Sequence, residues 1–92
     1  MGDTQDLSGL VDETVVIDTR TPLVYIGRLT GVDAKFVVLE DVDVHDIGDT
    51  QSTKELYILE AKKYGVKKNR RRTLLSRDQV VSVSKLDDII EY

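Results

Sequence analysis

A glycine inside an otherwise apolar, β-branched run is the feature that most restricts what this chain can fold into. Between Val15 and Leu39 stand three such runs: Val15-Val16-Ile17, Leu23-Val24-Tyr25-Ile26-Gly27-Arg28-Leu29 and Phe36-Val37-Val38-Leu39. Their residues suit a pleated, half-buried surface. Gly27 interrupts the middle run, and a missing side chain within a strand marks a bulge or a tight bend. Thr19-Arg20-Thr21-Pro22 separates the first run from the second, because Pro22 has no N–H to give to a ladder. Gly31-Val32-Asp33-Ala34 separates the second from the third. The pattern predicts the start of a small, strongly bent β-barrel.

The third strand is expected to continue through Val42 and Val44. Phe36, Val38, Val42 and Val44 share one parity, and Val37, Leu39, Asp41, Asp43 and His45 the other. Glu40 interrupts the first stripe, so a bulge or a strand end is expected near it. Ile47 to Gln51 reads as loop. Ser52-Thr53-Lys54-Glu55 then matches the capping box that opens a helix. That helix is expected to run to Tyr64, with Tyr57, Ala61 and Tyr64 on one face, Ile58 beside them and Gly65 as an αL stop.

Beyond the helix, Arg72–Ser76 and Val80–Ser84 read as a last strand pair joined by a tight turn at Arg77-Asp78-Gln79. Leu86, Ile89 and Ile90 are apolar enough to dock on the core. At the other end, Asp6 or Ser8 is placed to cap a short helical turn through Leu7, Leu10 and Val11. Residues 1–6 are polar and read as a frayed, disordered tail.

A chain of 92 residues builds one domain with a single core, and at this size oligomerisation is a common source of added stability. It has no cysteine, which removes disulfides, thiolate metal ligands and thiol nucleophiles. No apolar run is long enough to span a membrane, and Met1-Gly2-Asp3-Thr4-Gln5-Asp6 is acidic where a signal peptide needs base. These features predict a cytoplasmic protein with no membrane partner.

The net charge of −4 conceals a segregation: seven of the thirteen basic residues lie between Lys62 and Arg72. Glu40, Asp41, Asp43, Asp46 and Asp49 form an acidic block just upstream. Fields fall off within a Debye length of about 10 Å, so the local distribution outweighs the sum. Lys67, Lys68, Arg70, Arg71 and Arg72, with Asn69 among them, are a candidate contact for a phosphate backbone, and Tyr64 offers a stacking face beside them. The competing reading is charge balance, with the same cations complementing a helix C-terminus and answering the acidic block.

Other chemistry has weaker footing. On an unbroken strand Asp41, Asp43 and His45 would share one side and supply oxygen and imidazole donors to a divalent metal, although their spacing matches no recognised metal motif. The competing reading is an exposed acidic strand end. His45 is the only histidine, and Ser8, Ser52, Ser76, Ser82 and Ser84 sit where caps and strand faces explain them. No glycine-rich phosphate loop is present, so neither an enzyme nor a cofactor is expected.

Tyr25-Ile26-Gly27-Arg28-Leu29-Thr30-Gly31-Val32-Asp33 resembles the first motif of the Sm-like (Sm and LSm) superfamily, with its strand-two glycine and the aspartate six residues on. Leu75-Ser76-Arg77-Asp78-Gln79-Val80-Val81-Ser82-Val83-Ser84 is similar to the second, a hydrophobic-Arg-Gly turn followed by an apolar strand. The resemblance implies a mostly-β, five-stranded, strongly bent antiparallel barrel with a short N-terminal helix. It also implies rings closed by edge-strand pairing, which removes two open sheet edges, and single-stranded RNA as ligand. At the positions where the family places its base-stacking aromatic or histidine and its base-reading asparagine, this chain has Lys35 and Val37. Asp78 stands at the second-motif glycine. The usual uridine pocket is therefore not carried across.

The chain is expected to be one Sm-like domain over residues 1–92, with a helix-bearing insert at 47–69 between strands three and four. Its expected function is that of a homo-oligomeric RNA-binding module using Lys67, Lys68, Arg70, Arg71, Arg72 and Arg77. The alternative is a non-enzymatic assembly scaffold with no nucleic-acid role.

Overall fold

The computed structural model describes residues 7–49 and 53–90. Five strands, β1 (Thr14–Thr19), β2 (Leu23–Val32), β3 (Phe36–Asp46), β4 (Arg70–Ser76) and β5 (Val80–Lys85), form one antiparallel sheet in the order β4-β3-β2-β1-β5. Helix α1 (Lys54–Tyr64) lies between β3 and β4, and a 3-10 turn at Leu7–Leu10 precedes β1. Residues 1–6 and Ser52, for which a tail and a capping role were expected, lie outside the described residues.

The bend is built where Gly27 predicted it. Ile26 pairs with Asp43 and Arg28 with Glu40, so Asp41 and Val42 together face Gly27. This bulge puts Asp41 at a φ of 53°. A Cβ on Gly27 would stand 3.2 Å from the Glu40 carbonyl oxygen and 3.2 Å from the Val42 Cα. A residue without a side chain lets the two backbones come this close with no displacement of either.

The extra residue also shifts the alternation. Val37 and Leu39 before the bulge share the inner face with Val42 after it, packed with Val15, Ile17, Leu29 and Leu75, while Val44 lies against this group. The expected stripe joining Phe36 and Val38 to Val42 and Val44 is therefore wrong across the bulge, because one added residue reverses every side chain beyond it.

A second apolar group lies on the outer face, where Val16, Val24 and Ile26 meet Tyr57, Ile58 and Ala61 of α1 and Leu86 beyond β5. Each fully buried aliphatic side chain in these two layers contributes roughly 1.5–3 kcal/mol. Lys54 Nζ, paired with Asp18 Oδ1 at 2.7 Å, ties the start of α1 to β1.

Several local expectations are corrected. Thr53 caps α1, its hydroxyl accepting from Leu56 N at 3.1 Å, one residue later than the capping-box reading placed the cap. Gly65 ends the helix with φ 95° and ψ 162°, a positive φ outside the αL well. Tyr64 is 77% exposed and does not join the buried face of Tyr57 and Ala61. Leu86 is buried and Ile89 packs against the outer group, but Ile90 is exposed.

The last two strands do not form a hairpin: β4 pairs with β3 and β5 with β1, at opposite edges of the sheet. The turn Arg77–Gln79 carries the chain from one edge to the other. Its ends are held by two backbone bonds, Arg77 N to the Lys35 carbonyl and Arg20 N to the Gln79 carbonyl, each 2.9 Å. The sheet is strongly bent but remains unclosed.

Candidate nucleic-acid interface

Two places bring the sequence-selected residues together. In the first, the β2–β3 turn meets the β4–β5 turn. Asp33 Oδ1 accepts from the backbone N–H groups of Lys35 at 2.7 Å and Phe36 at 2.8 Å. Those bonds, aided by the Arg77 charge, hold the Asp33 carboxyl below the usual carboxylate range. Arg77 Nη1 donates to the Asp33 carbonyl at 2.7 Å, so the two motif residues are joined although 44 positions apart. Lys35 is exposed at this turn and Val37 is buried in the inner core, so neither the stacking ring nor the base-reading amide of the family pattern is present.

The second place is the far end of β4, roughly 20 Å along the strand from Arg77 at 3.3 Å per residue. Here the basic run divides by role. Lys62 Nζ donates to the Asp87 carbonyl at 3.1 Å and to the Ile89 carbonyl, tying α1 to the C-terminal segment. Lys68 Nζ lies 3.5 Å from Asp41 Oδ1. Lys67, Arg70, Arg71 and Arg72 are exposed, and their side chains make no ion pair or hydrogen bond with a described residue.

The acidic block makes its closest contacts elsewhere. Arg28 already takes Glu40 at 3.6 Å and Asp41 at 3.7 Å. Asp43 is buried and accepts from Asn69 Nδ2 at 3.2 Å. Charge balance thus accounts for Lys68 and sets Glu40 opposite Arg72 across the β3–β4 ladder, but gives Arg70 and Arg71 no facing carboxylate among the described residues.

Asn69, counted in the sequence only as a member of the basic run, is a structural clamp. Its backbone N–H donates to the Val42 carbonyl at 2.8 Å, its Nδ2 to the Val44 carbonyl at 3.0 Å, and its Oδ1 accepts from Val44 N at 3.1 Å. A side-chain amide carries both a donor and an acceptor, so it continues the β3–β4 ladder past Arg70. An asparagine just before a strand was the available signal.

Asp41, Asp43 and His45 do not converge on a common point. The bulge turns Asp41 toward Arg28 and Lys68, while Asp43 meets Asn69. His45 stacks on Tyr57, ring centroids 4.1 Å apart and planes 14° from parallel. No cluster of three potential ligands occurs among the described residues. The shared face expected for these three required an unbroken strand.

This stacked pair lines a cleft of about 550 Å³ between β3, the end of α1 and the segment after it, together with Asp43, Glu60, Ala61, Tyr64, Gly65 and Lys67. His45 Nε2 is buried there without a hydrogen-bond partner among the described residues, and the buried Tyr57 Oη is directed at the Asp43 carboxylate without reaching ordinary hydrogen-bond geometry. Burial, with the Asp43 carboxylate close by, keeps the Tyr57 phenol protonated far above its ordinary range. The sequence places Tyr57 on one face of the helix and His45 among the metal candidates; their meeting depends on how α1 crosses the sheet, which no local pattern encodes.

No protein-family model matches the chain and no curated protein matches it. Among solved structures it is similar to the Sm protein of Pyrococcus abyssii, determined in complex with a uridine heptamer, at 21% identity and a TM-score of 0.60 over 86% of this chain and 90% of that one. It is also similar to a chain of the NatC complex bound to Gag peptide and CoA, at 16% identity and a TM-score of 0.54, covering 85% of this chain and 87% of that one. A chain of the NatC complex bound to CoA gives 17%, 0.56, 89% and 86% for the same quantities. No described helix is long and apolar enough to cross a membrane. With its five antiparallel strands in one bent sheet, its Gly27 bulge and its Asp33–Arg77 junction, the chain has the Sm-like fold.

Proposed function

We propose that this chain is an oligomeric RNA-binding module that holds single-stranded RNA by its phosphate backbone through Lys67, Arg70, Arg71 and Arg72, with Lys68 at the margin and Arg77 as a separate contact on the β4–β5 turn. One observation carries the reading: three consecutive arginines stand exposed on an edge strand, while the carboxylates near them, Glu40 opposite Arg72 included, make their closest contacts to Arg28, Lys68 and Asn69. Solvated arginine forks suit phosphate geometry and give little sequence preference. Support at the level of fold comes from the similar Sm protein, which was determined with a uridine heptamer.

Assembly is supported by the two open edges. Leu74 on β4 is 55% exposed and Val81 on β5 is 60% exposed, and each lies on a strand with one unpaired side. An assembly scaffold without RNA would use the same edges.

Titrating fluorescein-labelled uridine heptamer at low salt separates the two. The module should bind, and changing Arg70, Arg71 and Arg72 together to alanine should flatten the logarithmic salt dependence by about 2, from a slope of about 0.7 per phosphate contact on a single strand. Assembly should be unchanged in that variant. A wild type that binds no oligonucleotide at low salt leaves only the scaffold.

A further inference from the structure

The cleft beside the basic run has a chemistry that phosphate contact does not use. Its charged acceptors are carboxylates: Asp43 within it, and Glu60 on the exposed side of α1 with no partner among the described residues. Its aromatic surface consists of the His45–Tyr57 stack and the exposed Tyr64 ring. Lys67 supplies one cation, three residues before Arg70. One polar atom, His45 Nε2, is buried there without a partner among the described residues, a costly arrangement in a finished core.

An ionised carboxylate only accepts hydrogen bonds. Among the bases of a single strand, whose Watson–Crick edges are free, guanine alone offers two adjacent donors, N1–H and the N2 amino group. Uracil flanks its single N–H with two carbonyl oxygens, and cytosine and adenine set a ring-nitrogen acceptor beside their amino group, so all three bring lone pairs against the carboxylate. Tyr64 provides the stacking plane that any base can use, and Lys67 the charge for an attached phosphate.

We infer that this cleft binds one guanine base carrying a phosphate, with Glu60 accepting from its N1–H and N2 amino group, Tyr64 stacked on its face and Lys67 on the phosphate. As part of an RNA strand this rests on the backbone reading above, and it places a base-selective contact at the outer end of β4, away from the Asp33–Arg77 junction. A free guanine nucleotide presents the same base and phosphate.

The test uses the full chain and labelled heptamers that differ only in the central base: U7, U3GU3, U3AU3 and U3CU3. GMP and UMP are titrated in parallel by calorimetry. The guanine heptamer should bind about tenfold tighter than the others or better, the discrimination expected of a good two-point base contact. Glu60→Gln should bring it to the level of U7, because the amide replaces one acceptor with a donor. Tyr64→Ala should weaken the guanine heptamer and Tyr64→Phe restore it. Both side chains are exposed, and circular dichroism checks that the fold is kept.

Equal affinity for all four heptamers with no heat from GMP overturns the guanine site and leaves the backbone reading intact. Heat from GMP with no heptamer bound supports the site as one for a free nucleotide and overturns the backbone reading. A guanine preference that survives Glu60→Gln overturns the assignment to this cleft, and no binding of any probe overturns both.

Discussion

Gly27 and Val42 face each other across the β2–β3 ladder so closely that a Cβ on the glycine would lie 3.2 Å from the Val42 Cα and 3.2 Å from its Cγ2. The methyl could yield to a moving side chain, but the Cα and the Glu40 carbonyl belong to backbone already bulged around the bend. Gly27→Ala is therefore expected to cost about 1–3 kcal/mol, as overpacking that must shift backbone atoms does. Thermal unfolding should show a fall of about 5 °C or more for a domain of this size. An unchanged midpoint would mean that the bend does not depend on the missing side chain.

The Asp33 carboxylate gives the fold an acid-sensitive joint. Its folded pKa lies below the ordinary 3.8 because Lys35 N–H and Phe36 N–H donate to it, and the Arg77 charge acts in the same direction. A depressed carboxyl adds stability that is present above its unfolded pKa and lost as pH falls through the folded one. The stability of the wild type relative to Asp33→Asn should thus be greatest near neutrality and shrink below about pH 4. Melting both proteins between pH 2 and 7 checks this, and a gap that widens in acid would refute it.

Tyr57→Phe should change stability by less than about 1 kcal/mol, since the buried hydroxyl faces the Asp43 carboxylate but makes no well-formed hydrogen bond to it. The ring and its stack on His45 remain. Urea unfolding with an unchanged slope is the measurement. A loss above 1 kcal/mol would show that the hydroxyl has a partner in solution.

Replacing Leu74 or Val81 with lysine should leave the fold intact, because both side chains are more than half exposed, yet reduce self-association through the two sheet edges. Light scattering at micromolar concentration would show the mass falling toward that of the 10.4 kDa chain. The same mass for wild type and both variants would argue against assembly through these edges.

Much of the fold was legible because it is written in short-range signals. The runs after Val15, Leu23 and Phe36 mark strands by composition, and Gly27 and Glu40 mark the two sides of one bulge. The reversal of facing after Glu40 escaped, since period-two reading carries parity through a bulge as though none were there. The pairing of β4 and β5 with opposite partners was misread for a related reason: a three-residue turn looks like a hairpin when the curvature of the whole sheet is not in view. Of the candidate site, the arginines were plain in the sequence. The His45–Tyr57 stack and the Asn69 clamp were not, because each depends on where α1 and its following segment settle against β3.

The turn Arg77–Gln79 carries a mechanical consequence. Ser76 and Val80 end opposite margins of the ribbon, yet four residue steps of extended chain reach at most about 14 Å between them. The ribbon cannot uncurl at that end without breaking its own ladders, so its opening angle is fixed by covalent length and not by whatever meets its margins. Spacer residues added after Asp78 would turn a rigid clasp into a flexible strap.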